Sequence, residues 1–144
     1  MPKIIEYKKV ITQQNTYELR DVEGTELCTI GDTTYFVIPG TVLPTGQAAE
    51  IQSSIKATVV TSDIRAQIKA ASPHCWLIKE RRKQRVLDAG YDNEDQKALQ
   101  LAGIGIGIGF LQQDDPRAAA VLAYATVCKA ADEAAAAQYV ALGL

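Results

Sequence analysis

Histidine occurs once in the 144 residues, as His74, and cysteine only three times, as Cys28, Cys75 and Cys128. A single imidazole falls short of the set that most catalytic zinc sites use, and the cysteines form no CxxC pair, so no metal site is expected. An odd number of thiols spread along the chain cannot close into a full disulfide set. Reduced, buried thiols are the expectation, because a free cysteine behaves as a small hydrophobe. The apolar residues never run for the ~18 uncharged positions of a spanning helix, and the start MPKIIEYKK lacks the apolar stretch and small-residue cleavage site of a signal peptide. A soluble product of the cytoplasm, without a membrane partner, is therefore expected. Charge of one sign is also lacking: 15 Lys and Arg stand against 17 Asp and Glu, giving −2. No global attraction to nucleic acid or anionic lipid follows from that balance.

What the chain does have is enough apolar matter, 47% of its residues, for one compact domain or two small units. The first sixty residues read as β structure. Lys3 to Thr12 is rich in Ile, Tyr and Val, and Tyr17 to Val22 follows a polar break. Glu23 with Gly24, then Gly31 with Asp32, punctuate entry into Thr25 to Ile30 and Thr33 to Ile38. In the last run both alternating sets, Thr34, Phe36, Ile38 and Tyr35, Val37, carry bulk, so both faces should be covered. Gln47 to Thr61 reads as one or two further strands.

The period changes at Thr61. Thr61 or Ser62 caps a short helix to Ala71, with Ile64 and Ile68 on one face. Ser72 then offers a cap, and Pro73 a first turn, for a helix ending near Ala89 before Gly90. Asp92 or Asn93 opens a third helix with Leu99 and Ala102 on its apolar side. Asp114, Asp115 and Pro116 open an alanine-rich helix from Arg117 to about Leu142. The fold class is thus α+β: an antiparallel β-rich unit over 1–61 that docks, followed by a helical association region over 62–144. Alanine-rich helices bury little area each, so packing against copies of the chain, and hence an oligomer, is expected.

Between the last two helices lies Gly103-Ile-Gly-Ile-Gly-Ile-Gly109. It fails the dinucleotide fingerprint, because its third glycine comes one position early and no strand precedes it, and it lacks the Gly-Lys-Ser/Thr of a P-loop. Extended, the run would place Ile104, Ile106 and Ile108 on one face; helical, each glycine would cost about 1 kcal/mol relative to alanine. Close packing or a hinge is the expected role. The cations Lys79, Arg81, Arg82, Lys83 and Arg85 form the main charge feature: residues 73–90 carry five cations against two anions, and residues 91–144 three against seven. In a helix these cations point nearly all round, which suits an interface or a solvated face better than a nucleic-acid stripe. His74 and Cys75 are adjacent, so on a helix they diverge by about 100° and form no thiol and base pair. The acidic clusters sit at helix starts, where capping explains them, and no calcium-loop string is present. No catalytic residue, cofactor, metal or small-molecule substrate is expected. The candidate interface comprises Lys79, Arg81, Arg82, Arg85, Ile104, Ile106, Ile108, Val121, Leu122 and Val140.

The segment TSDIRAQIKAASPHCWLIKERRKQRVLDAGYDNEDQKAL, residues 61–99, resembles one that recurs in small virion-associated proteins of tailed bacteriophages and prophages. The matching residues are Ala71, Ser72, Pro73 and His74, then Arg81 and Arg85, then Tyr91, Asp92, Glu94, Asp95 and Lys97; the final Ala141, Leu142, Gly143, Leu144 is similar too. The resemblance covers under a third of the chain and does not include the glycine and isoleucine tract. It implies a non-enzymatic tail, baseplate or fibre-adaptor subunit, made in the bacterial cytoplasm and carried in the virion. Its implied partners are other tail proteins and copies of itself, as a trimer or hexamer. The alternative is a small nucleic-acid-binding or regulatory protein acting through residues 79–85, and an enzyme is a third reading.

Overall fold

A computed structural model describes all residues, 1–144. The chain is α+β, with strands β1 (Lys3–Tyr7), β2 (Val10–Ile11), β3 (Thr16–Tyr17), β4 (Thr25–Ile30) and β5 (Thr33–Ile38), a short helix α1 (Ala49–Gln52), strand β6 (Lys56–Ala57), and helices α2 (Ser62–Ala71), α3 (Pro73–Asp88), α4 (Asn93–Gly107) and α5 (Pro116–Ala141). It divides into two compact units, Met1–Ile78 with Ala137–Leu144, and Lys79–Ala136.

In the first unit the sheet order is β4-β5-β1-β6, and the neighbouring strands are antiparallel. Gly31, at φ 62°, starts the two-residue turn that pairs Ile30 with Thr33. The doubly apolar run of β5 is buried on both faces, as its composition requires. Directly opposed residues share a face, so Ile4 with Val37 and Ile5 with Phe36 define the two sides. On one side Ile4, Leu27, Cys28, Tyr35 and Val37 meet Ile64 and Ile68 of α2 together with Leu142 and Leu144. On the other, Ile5, Tyr7, Phe36 and Ile38 are covered by Ile51, Ile55 and the half-buried Val10, Tyr17, Leu19, Val22 and Leu43. A register shift between Glu26 and Cys28 lets the consecutive Leu27 and Cys28 join the same cluster. Each fully buried isoleucine contributes roughly 1.5–3 kcal/mol, which is how a four-stranded sheet of short strands holds.

Several expectations need correction here. The run 3–12 breaks at Lys8, and of 17–22 only Tyr17 is a strand residue, pairing as part of β3 with β2. Leu19 and Val22 instead turn inward as irregular cover for the sheet. The stretch 47–61 holds the one-turn helix α1, which buries Ile51, then a turn that brings Ile55 into the same cluster, and the two-residue strand β6. The composition change near residue 61 does not separate packing partners. Ile64 and Ile68, and the last residues Leu142 and Leu144, pack on the sheet.

The second unit is held by Val86 of α3 with Tyr124 and Ala131 of α5, flanked by Tyr91, Leu99, Val127 and Cys128. The rings of Tyr91 and Tyr124 meet edge to face at 5.1 Å, and Gln100 donates to the Tyr124 hydroxyl at 3.2 Å.

Candidate interaction surface

Capping sets where α4 begins and therefore which residues fall on which of its sides. The Asp92 carboxylate accepts from the Glu94 and Asp95 N–H groups, each at 2.8 Å, and the Asp95 carboxylate accepts from the Asp92 N–H at 3.3 Å. This reciprocal box satisfies donors that the first turn leaves orphaned. From there Leu99, Ala102, Gly103 and Gly105 turn inward. Gly103 lies against Val121, and Gly105 against Leu111, whose N–H donates to the Gly105 carbonyl at 2.9 Å.

The glycine and isoleucine tract is therefore helical through Gly107, with Ile108 as its C-cap and Gly109 at φ 77° ending it. It is not extended. Two of its glycines are sites of close packing, which offsets their helix cost. In a helix the three isoleucines cannot share a face. Ile104 and Ile108, four apart, do so and stay exposed, while Ile106 turns aside and is half-buried.

With α4 rolled this way, its outer side is apolar from Leu101 onward. Leu101 is 71% exposed, Ile104 59%, Ile108 75%, and Phe110, just past the helix, 82%. Four large apolar side chains exposed within ten residues form a run that a solitary soluble domain rarely shows. Leu122 is exposed on α5, and Val121 is half-buried beside Gly103. Val140 is exposed but belongs to the other unit. Leu101 and Phe110 are absent from the sequence-derived candidates. The 3-4-spaced Leu101, Ile104, Ile108 triplet is readable only once the tract is known to be helical.

No family model, curated protein or solved structure matches this chain.

The basic residues of α3 do not stand as one cationic stripe. Arg82 is half-buried and its Nε donates to the Asp132 carboxylate, which raises the guanidinium pKa. Lys83 pairs with Glu80 at 2.8 Å, and Lys79, Arg81 and Arg85 are exposed. The thiol and base pair does not assemble: His74 is exposed and Cys75 fully buried. Burial, with smaller contributions from Cys75 and Glu26, pushes the Cys28 thiol up to about 11, so it stays protonated and poorly nucleophilic at neutral pH. Ser72, expected to cap α3, does not: its Oγ is buried without a hydrogen-bond partner, and only its carbonyl accepts, from the Trp76 N–H at 3.1 Å. Its extended backbone ends α2 and directs the side chain into the interior.

A concavity of ≈ 780 Å³ is lined by Gln14, Asn15, Tyr17, Arg20, Asp21 and Gln47 among others. Gln47 spends its amide on the scaffold: its Oε1 accepts from the Arg20 N–H at 2.9 Å and its Nε2 donates to the Arg20 carbonyl at 3.1 Å. No group of three or more His, Cys, Asp or Glu is placed to hold a metal ion, and no helix is long and apolar enough to cross a membrane.

Proposed function

We propose that the chain is a non-enzymatic structural subunit that works by presenting surfaces to neighbours, in the tail, baseplate or fibre-adaptor region of a tailed-phage virion. The observation that carries the interface reading is the exposed apolar run Leu101, Ile104, Ile108, Phe110 on and after α4. Leaving those side chains in water forgoes roughly 1.5–3 kcal/mol each, a cost that covering the face recovers. The virion setting rests on the likeness of residues 61–99 to phage virion-associated proteins. Its neighbours in that setting are other tail proteins and copies of itself, assembled in the host cytoplasm. The nucleic-acid alternative loses support from Arg82 and Lys83, whose charges are engaged by Asp132 and Glu80.

The test is the composition of purified particles. Virions banded from a lysate of the phage or prophage that carries the gene should contain this chain in fixed stoichiometry by mass spectrometry, and particles from a deletion strain should lack complete tails. Complete, infectious particles free of the chain would overturn the reading.

A further inference from the structure

Resting on the reading that this face is an interface, the geometry points to a second copy of the same chain as its occupant, with the two α4 helices packed antiparallel about a two-fold axis near Leu101 and Ile104. The exposed side of α4 is a regular seam: Glu94, Lys97, Leu101, Ile104 and Ile108 follow one another at alternating spacings of three and four and are all exposed. That alternation is the a and d pattern by which one helix seats side chains between those of another, so the seam is complementary to itself. The flanking Ala98 and Gly107 are exposed, carry no charge and little bulk, so a second α4 approaches them without repulsion or crowding.

Charge selects the direction. In a parallel pair, Glu94 would face Glu94 and Lys97 would face Lys97, and the acidic first turns with Asp92, Glu94 and Asp95 would lie side by side. Antiparallel pairing separates the like charges, opposes the helix dipoles, and sets Leu101 of each copy against Ile104 of the other. Ile108 then meets Lys97 of the second copy, whose aliphatic stem covers it while the ammonium reaches water.

Area sets the strength. A 15-residue helix is about 22 Å long, and one face of it falls short of the ~800 Å² per partner of a standard interface. The pair is therefore a reversible one, with a dissociation constant of about 1–100 µM, tightened when the chain is concentrated in a larger assembly. A two-fold contact of this kind also joins two trimers into a hexamer.

Sedimentation equilibrium of the full-length chain tests this. The wild type should show monomer and dimer in exchange over that concentration range. Ile104→Glu and Ile108→Glu, at exposed positions, should each raise the dissociation constant about a hundredfold with unchanged circular dichroism, whereas Leu122→Glu, exposed on α5 outside the seam, should leave it unaltered. An Ile108→Cys variant reads direction. Antiparallel pairing holds the two new thiols about 16 Å apart, so oxidation should not link them, while parallel pairing would place them in contact. A wild type that stays monomeric throughout, a dimer that survives both α4 substitutions, or rapid cross-linking through the new thiol overturns the proposal. A monomeric chain nevertheless found in virions removes the second copy as occupant and leaves the structural-subunit reading intact. A dimer from a chain absent in virions does the reverse.

Discussion

Gly103 of α4 lies so close to α5 that a β-carbon at that position would stand 3.3 Å from Val121 Cγ1. This approach fixes the roll of α4. With the Gly103 side turned to α5, Leu101, Ile104 and Ile108 have nowhere to point but outward, so a packing detail inside the second unit determines which residues form its apolar surface.

Alanine substitutions along the tract should separate packing from propensity. Gly107 has helical backbone and open space around a would-be β-carbon, so Gly107→Ala should stabilise the chain by about 0.4–1 kcal/mol. At Gly103 the same helix gain is opposed by the stiff Val121 side chain, and Gly103→Ala should gain less than Gly107→Ala or lose stability. Urea midpoints of the two variants decide it, and equal gains would mean the close approach is not a constraint.

Gly24 answers a different requirement. At φ 148°, its would-be β-carbon lies 2.1 Å from the Val37 carbonyl oxygen and 2.5 Å from Phe36 Cε1, both on β5. Gly24→Ala should therefore cost about 3 kcal/mol or more through backbone strain and displacement of the central strand. A thermal midpoint within a few degrees of the wild type would show that the entry to β4 can relax.

Alkaline pH should loosen the sheet-bearing unit. The Cys28 thiol rises from 9.0 to about 11, chiefly through burial, and burial also raises the Tyr7 and Tyr35 hydroxyls. The native chain holds these protons more tightly than the unfolded chain. Their contribution is complete below pH 9 and is lost as pH rises towards 11. Denaturation midpoints should be level below pH 9 and fall above it. A midpoint that stays constant to pH 11 would contradict the assigned burial of Cys28.

Most local signals were legible in the sequence, the inward-turned Ser72 being an exception, and distant ones were not. Thr61 caps α2 by accepting from the Ile64 N–H at 3.2 Å, and Asp115 accepts from the Arg117 N–H at 2.9 Å to open α5, because a cap is decided by residues two or three apart. The Gly31 turn is legible for the same reason. The tract from Gly103 misleads because its glycines report contacts with Val121 and Leu111, eighteen and six residues downstream, and not the local preference for extended backbone. The inward turn of Leu142 and Leu144 onto the sheet is equally invisible to a reading by composition, since their partner Ile4 lies at the opposite end of the chain. Of the candidate surface, Ile104, Ile108 and Leu122 are readable as apolar residues in a helical half, whereas Leu101 joins them only when the period of α4 is known.

Whether the α4 face is covered when the protein is at work is measured most directly by hydroxyl-radical footprinting. The dilute isolated chain and the chain within purified virions are labelled side by side, and modification is read at Leu101, Ile104, Ile108 and Phe110. Strong labelling in the isolated chain and clear protection in the particle is the predicted result. Equal labelling of all four side chains in both states would contradict the claim that the protein acts through this surface.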